Sequence, residues 1–195
     1  LTSFSQTAQD LFGQEKYKQA ISLTDNESNL TKEDLYFIGR SYFKLENDNK
    51  AIEYYDKAIQ KGLNTAEVYF YKGLSFRWLG KRQEAIEFYN KALNIDPKNQ
   101  IYMSEKAFAF YHDQNLDSAL QCAQEATKLP YQLGMAYYLV PHIHHVKQDF
   151  ETALNGFYGA LKKIDVQDEY YPKTWQDIGQ LEYTVTKNYD KAAQA

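Results

Sequence analysis

The sequence predicts an all-α solenoid built from stacked pairs of antiparallel helices. The main observation is a spacing of 34 residues that three separate columns keep: Ala51, Ala85, Ala119 and Ala153; Ala58, Ala92, Ala126 and Ala160; and Gly39, Gly73 and Ala107. Small residues at these places allow two helices to approach closely. A single helix pair cannot bury its apolar face alone, so neighbouring pairs are expected to stack.

The clearest helix pair spans residues 66–99. Two amphipathic stretches are separated by Gly80, which suits a tight turn, and the second stretch ends at Asp96-Pro97. Large residues lie between the small ones and are expected to fill the grooves between the helices. The pattern recurs before and after this segment, so the chain is expected to be a repeat array.

These residues resemble the tetratricopeptide repeat (TPR) family. Residues 66–99 match its pattern through Tyr69, Gly73, Phe76, Ala85, Tyr89, Ala92 and Pro97. Residues 32–65 match it through Leu35, Ile38, Gly39, Tyr42, Ala51, Tyr55 and Ala58. The resemblance covers essentially the whole chain. It implies a right-handed superhelix of about six repeats, with about twelve helices.

The register divides residues 1–195 into one solenoid domain with repeats at 1–31, 32–65, 66–99, 100–133, 134–167 and 168–195. The first repeat is degenerate and is expected to have a shortened second helix, after which Thr31 caps the next helix with Asp34 as a capping-box partner. An interior proline, Pro141, predicts a kink or break in the fifth repeat. The sixth repeat begins near Pro172 and is expected to be cut at Ala195.

Composition excludes several functional classes. A net charge of −4 and a pI of about 5.6 do not favour nucleic-acid binding. No apolar run is long enough to insert directly into a membrane. The sequence motifs of phosphate-binding loops, of serine nucleophiles and of zinc-dependent hydrolases are missing. We therefore expect neither enzymatic activity nor a cofactor. The single Cys122 suits a reducing compartment, with the cytoplasm slightly favoured and the periplasm open.

The resemblance also implies where a partner binds. In TPR proteins the first helix of each repeat lines a concave groove, into which repeat positions 2, 5, 9, 12 and 13 point. The expected partner is a protein or peptide, and the candidate groove residues are Tyr36, Arg40, Lys44, Phe70, Arg77, Phe108, Tyr111, His112, Tyr138, His142 and His145. Aromatic residues would anchor the partner, while Arg40, Lys44 and Arg77 would add electrostatic steering.

Four histidines suggest a further hypothesis. His142, His144 and His145 lie close together, and His112 falls one repeat earlier, so converging imidazoles could bind zinc. The plainer interpretation is that these are polar surface and groove residues. We therefore expect no metal site.

Two other functions stay open at this stage. The unfinished last repeat is also consistent with a TPR sensory or regulatory segment of a larger protein, such as a bacterial signalling or membrane-associated protein. Unfinished ends of a solenoid leave apolar faces open, which favours self-association through the terminal repeats.

Overall fold

The computed structural model describes residues 6–130 and 133–193, and these ranges contain eleven α-helices. They are α1 (Ala8–Gly13), α2 (Tyr17–Ser22), α3 (Lys32–Lys44), α4 (Asp48–Gln60), α5 (Ala66–Trp78), α6 (Arg82–Ile95), α7 (Gln100–His112), α8 (Leu116–Thr127), α9 (Gly134–Val146), α10 (Phe150–Leu161) and α11 (Tyr170–Ala193). A 3₁₀ helix, Leu23–Asn29, follows α2. The predicted cut at Ala195 lies outside the described residues.

The chain forms two compact units, Leu1–Pro97 and Lys98–Ala195. The amino-terminal unit contains α1 to α6 and the carboxy-terminal unit contains α7 to α11. Within each unit consecutive helices pack against each other, most extensively as the pairs α3/α4, α5/α6, α7/α8 and α9/α10. The predicted all-α solenoid of helix pairs is therefore confirmed, whereas a single continuous domain stays a prediction. None of the described helices combines the length and apolar character needed to cross a bilayer.

A glycine facing an aromatic ring sets the close approach within two of the pairs. A Cβ added to Gly39 would lie 2.7 Å from ring carbons of Tyr55, and a Cβ added to Gly73 would lie 2.8 Å from those of Tyr89. Both tyrosines are completely buried. In the next repeat the corresponding residues are Ala107 and Ala123, which are also completely buried. A glycine thus faces a ring in the second and third repeats, and two alanines occupy the corresponding positions of the fourth repeat.

The turn inside each helix pair has a residue with positive φ. These residues are Glu46, Gly80, Gln114 and Gln148, each 34 residues after the one before, and Glu15 occupies the turn of the shorter first repeat. In every case the next residue donates its backbone N–H to a carbonyl five residues earlier, as Lys81 does to Phe76 at 2.9 Å. This closure satisfies carbonyls at the end of the first helix. Sequence reasoning identified only the glycine, because Glu and Gln are not typical turn residues.

The amino-terminal repeat agrees with its prediction. Thr31 accepts a hydrogen bond from the Asp34 backbone, and the Asp34 carboxylate accepts one from the Thr31 backbone, so the capping box is complete. The second helix of this repeat, α2, has only six residues before the 3₁₀ helix replaces it. The shortened second helix is thereby confirmed.

Two features of the carboxy-terminal unit differ from the prediction. Helix α9 runs through Pro141 without interruption, so the predicted break is wrong, while the predicted kink stays a prediction. Pro141 is buried and meets Gly156 of α10, where an added Cβ would lie 2.9 Å from the proline ring. The absence of a side chain at Gly156 makes room for the proline. The last repeat forms the single 24-residue helix α11 where a helix pair was expected. Trp175 on this helix is consequently 48% exposed.

Candidate functional site

The first group of predicted groove residues lies in the amino-terminal unit, where Arg40 packs against aromatic rings. Its guanidinium carbon lies 3.4 Å from the centre of the Tyr71 ring and 5.0 Å from that of Phe12. The guanidinium also donates a hydrogen bond of 2.9 Å to the Tyr36 hydroxyl, one helical turn away. Tyr36 and Arg40 are both half-buried. These contacts hold the two side chains within the unit by cation–π attraction and hydrogen bonding.

Because Tyr36 is partly buried, the free energy of unfolding is expected to fall at alkaline pH. Burial raises the pKa of Tyr36 to about 12, an effect that the Arg40 charge partly opposes. An unfolded tyrosine ionises near pH 10, so this residue contributes stability below about pH 10 that is lost as pH rises towards about 12. We expect Tyr36→Phe to flatten the fall in unfolding free energy by up to about 1.4 kcal/mol per pH unit. Urea unfolding at about pH 9 and about pH 11 measures this slope, and parallel slopes would contradict the assignment.

A pocket of about 490 Å³ lies at the ends of α3 and α5. We call it the Trp78 pocket; its lining residues are Phe43, Lys44, Glu46, Asp48 and Trp78. The Trp78 side chain is 63% exposed, and the Arg77 guanidinium carbon lies 4.5 Å from the centre of its ring. Lys44 is exposed, whereas burial raises the pKa of Asp48. The pocket therefore offers an apolar ring beside charges of both signs.

Phe70, another predicted groove residue, is only 6% exposed. Its ring centre lies 5.2 Å from that of Tyr71 and 5.9 Å from that of Tyr89. Phe70 thus packs in the interior of the α5/α6 pair. Because its substitution would destabilise the fold, such a variant would not be a clean test of binding.

In the carboxy-terminal unit, the second group of predicted residues forms a hydrogen-bonded cluster. His142 Nε2 lies 3.0 Å from the Tyr111 hydroxyl, and His142 Nδ1 lies 3.1 Å from the Tyr138 hydroxyl. The Tyr138 hydroxyl donates to Asp177 Oδ2 at 2.9 Å, and His142 Nδ1 lies 3.3 Å from the same oxygen. We call these four residues the His142 network. Its contacts connect α7, α9 and α11.

Burial and hydrogen bonding together shift the pKa values in the His142 network. Burial, together with the hydrogen bond to Asp177, raises the pKa of Tyr138 well above its usual value. Burial acts to raise the pKa of Asp177, but its hydrogen bonds with His142 and Tyr138, together with the charges of His142 and His145, lower that pKa on balance. Tyr138 therefore acts as a donor to an ionised carboxylate across the ordinary pH range.

The four histidines do not converge as a group. His145 joins the His142 network: one ligand atom each from His142, His145 and Asp177 lie within 4.8 Å of one another. His144 Nδ1 instead lies 3.1 Å from Asp149 Oδ2. His112 stacks edge-on against Phe108, with ring centres 4.3 Å apart, so it packs with its own helix. The structure thus pairs two of the four histidines and adds a carboxylate.

A second pocket lies in the carboxy-terminal unit, and it too is lined by residues at predicted groove positions. Its volume is about 420 Å³, and its walls include Ile101 and Ser104 of α7, Met135 of α9 and Tyr170 of α11. Ile101 is 48% exposed. Positions 2 and 5 of the fourth repeat and position 2 of the fifth therefore meet at one concavity.

Sequence reasoning missed two residues of these sites. Tyr71 was missed because the groove rule uses fixed repeat positions and ignores neighbours in the first helix of the next repeat. Asp177 was missed because a sixth repeat that begins at Pro172 puts Asp177 at repeat position 6, outside the groove positions. A search for carboxylates one repeat after the histidines would have found Asp177, which lies 35 residues after His142.

Comparison with known proteins identifies the repeat. Tetratricopeptide repeat models match residues 66–99 and residues 35–60. A crystal structure of MamA is 19% identical to this chain, covers 82% of it and 95% of the MamA chain, and has a TM-score of 0.73. MamA 41-end from Desulfovibrio magneticus RS-1 is 18% identical, with coverage of 83% and 93% and a TM-score of 0.73.

A third solved structure is YrrB, described as a TPR protein with an unusual peptide-binding site. It is 18% identical, covers 82% of this chain and 84% of its own, and has a TM-score of 0.71. No curated protein sequence gives a significant match. At these identities the solved structures establish the fold alone. The two repeat models thus identify tetratricopeptide repeats at residues 35–60 and 66–99, within a chain of packed helix pairs that has the fold of a tetratricopeptide repeat protein.

Proposed function

We propose that this protein is a non-enzymatic interaction scaffold that binds an extended peptide segment of a partner protein. In the amino-terminal unit the proposed binding surface is the Trp78 pocket, with Arg77 at its side. In the carboxy-terminal unit it is the face of α7 and α9 that carries Ile101, Tyr111 and Tyr138.

The observation that carries this proposal is the exposure of large apolar side chains at the groove positions. Trp78 is 63% exposed, Ile101 48% and Val146 41%, and all three occupy repeat positions 2 or 13. An exposed tryptophan in a concave site is a typical anchor of a protein interface, because its ring buries a large area at low entropic cost. Such groups are more informative in a pocket than when scattered singly.

Charge and fold support a peptide as the class of partner. Lys44 and Arg77 flank the Trp78 ring and would attract carboxylates of the peptide, whereas Asp48 and Glu46 would select against a uniformly acidic sequence. The fold is that of YrrB, for which a peptide-binding site is described. A peptide with one apolar side chain flanked by charges of both signs best suits these walls.

A displayed library of random peptides tests the proposal directly. Peptides selected on the wild-type protein are synthesised, and their dissociation constants are measured by calorimetry against wild type and Trp78→Ala. Because a central tryptophan typically contributes about 2 kcal/mol or more, we expect the variant to bind about 30-fold more weakly.

The matched control is Trp175→Ala, which removes the other tryptophan of the chain, 48% exposed on α11. It should leave the affinity unchanged, and both variants should unfold at the wild-type urea midpoint. Equal affinity of wild type and Trp78→Ala, or equal weakening by both substitutions, would overturn the assignment of the Trp78 pocket.

A further inference from the structure

We propose that His142, His145 and Asp177 form a binding site for a divalent transition-metal ion of the zinc class. The site lies wholly in the carboxy-terminal unit, between α9 and α11. It goes beyond scaffold function and does not depend on it. Two imidazoles and one carboxylate suit Zn²⁺ or Co²⁺, whereas Ca²⁺ and Mg²⁺ prefer oxygen ligands alone.

The spacing of the ligand atoms supports this assignment. In tetrahedral coordination with bonds of about 2.0–2.1 Å, two ligand atoms lie about 3.3 Å apart. His142 Nδ1 and Asp177 Oδ2 are already 3.3 Å apart. One ligand atom from each of the three side chains lies within 4.8 Å of the other two, so the His145 side chain has to rotate to bring its nitrogen to the bonding distance.

His145 can make this rotation at little cost. Among the described residues its ring makes aromatic contacts, with His142 at 6.4 Å and with Phe150 at 6.0 Å between ring centres, and its nitrogens have no hydrogen-bond partner. A ligand nitrogen is therefore free beside an imidazole and a carboxylate that are already positioned.

The surrounding tyrosines supply the outer hydrogen bonds that such a site requires. When Nδ1 of His142 binds the ion, its Nε2 carries the proton and donates it to the Tyr111 hydroxyl, now 3.0 Å away. Tyr138 continues to donate to Asp177. These bonds fix the imidazole tautomer and the carboxylate orientation.

The site is accessible, and it connects two helices. The side chains of His142 and Asp177 are 23% and 16% exposed, so an ion can enter and water can occupy the remaining coordination position. Because the histidines belong to α9 and the aspartate to α11, a bound ion would cross-link these helices. Metal binding is then expected to stabilise the last helix against local opening.

Titration of the tag-free, metal-stripped protein with Co²⁺ and Zn²⁺ tests the site. We expect a tetrahedral Co²⁺ absorption spectrum, one equivalent of Zn²⁺ bound per chain, and slower hydrogen exchange in α9 and α11. His145→Ala and Asp177→Asn should each weaken Zn²⁺ binding at least about tenfold and remove the exchange protection. His145→Ala is the more decisive variant, because within the described ranges the His145 side chain makes no hydrogen bond whose loss would destabilise the fold.

The matched control is His144→Ala on the same helix, since His144 pairs with Asp149 outside the triad. Its Zn²⁺ affinity should equal that of wild type. The proposal is overturned if wild type binds no Zn²⁺ below about 0.1 mM, a limit weaker than any dedicated zinc site. It is also overturned if His144→Ala weakens binding as much as His145→Ala does.

Discussion

Replacing Tyr89 with alanine should lower the free energy of unfolding by about 3–5 kcal/mol, the usual cost of removing a buried aromatic ring. Tyr89 is completely buried in the α5/α6 pair, where its ring covers Gly73 and lies 5.9 Å from that of Phe70. Urea unfolding followed by far-ultraviolet circular dichroism measures the loss. The control is Tyr183→Ala, whose ring is 67% exposed and whose loss should stay within about 0.5 kcal/mol. Similar losses for the two variants would mean that the register of this helix pair is incorrect.

Gly73→Ala should destabilise the protein by about 1–3 kcal/mol, although alanine favours helix more than glycine does. The added Cβ would lie 2.8 Å from the Tyr89 ring and 3.2 Å from the Ala85 carbonyl oxygen, so the two helices would have to separate. Gly159→Ala is the matched control, because Gly159 lies in α10 and nothing stands within 4 Å of an added Cβ. This control should gain about 0.5–1 kcal/mol from helix propensity.

The two substitutions should not be additive. In the double variant the ring that the added Cβ would strike is missing and only the contact of 3.2 Å with the Ala85 carbonyl oxygen remains, so the total loss should be smaller than the sum of the two single losses. The fourth repeat already contains this combination, since Ala107 and Ala123 occupy the corresponding positions there and both are completely buried. Simple addition of the two losses would show that Gly73 and Tyr89 do not share the contact.

The interior of the central repeats could be predicted because its determinants are periodic. A 34-residue spacing of small residues specifies where two helices meet, and the structure buries Ala51, Ala85, Ala119 and Ala153 completely. The terminal repeat departs from the pattern because nothing in residues 182–187 interrupts the helix that begins at Tyr170. In the third repeat, Tyr69 stacks against Phe88 of the second helix. In the described part of the last repeat, Trp175 has no second helix to pack against. The prediction extended the 34-residue period into a segment that instead continues as one helix, α11.

The candidate sites could be predicted only by helix face. Repeat positions place Tyr36 and Arg40 one helical turn apart. They do not predict that the Arg40 guanidinium packs against the ring of Tyr71 in the next repeat. The same rule brought Tyr111, Tyr138 and His142 to one face, and contact with Asp177 depended on how α11 packs against α9. Distances between neighbouring helices determine a site, and one sequence does not supply them.

The most direct test of the scaffold proposal uses the two tryptophans as reporters. The Trp175→Phe variant keeps only Trp78, and the Trp78→Phe variant keeps only Trp175. Each is titrated with a selected peptide that contains no tryptophan, while its emission spectrum is recorded. We predict a saturable blue shift in the variant that keeps Trp78, because the bound peptide would remove its ring from water, and an unchanged spectrum in the other. Binding that leaves the Trp78 emission unaltered would contradict the proposal that this pocket receives the partner.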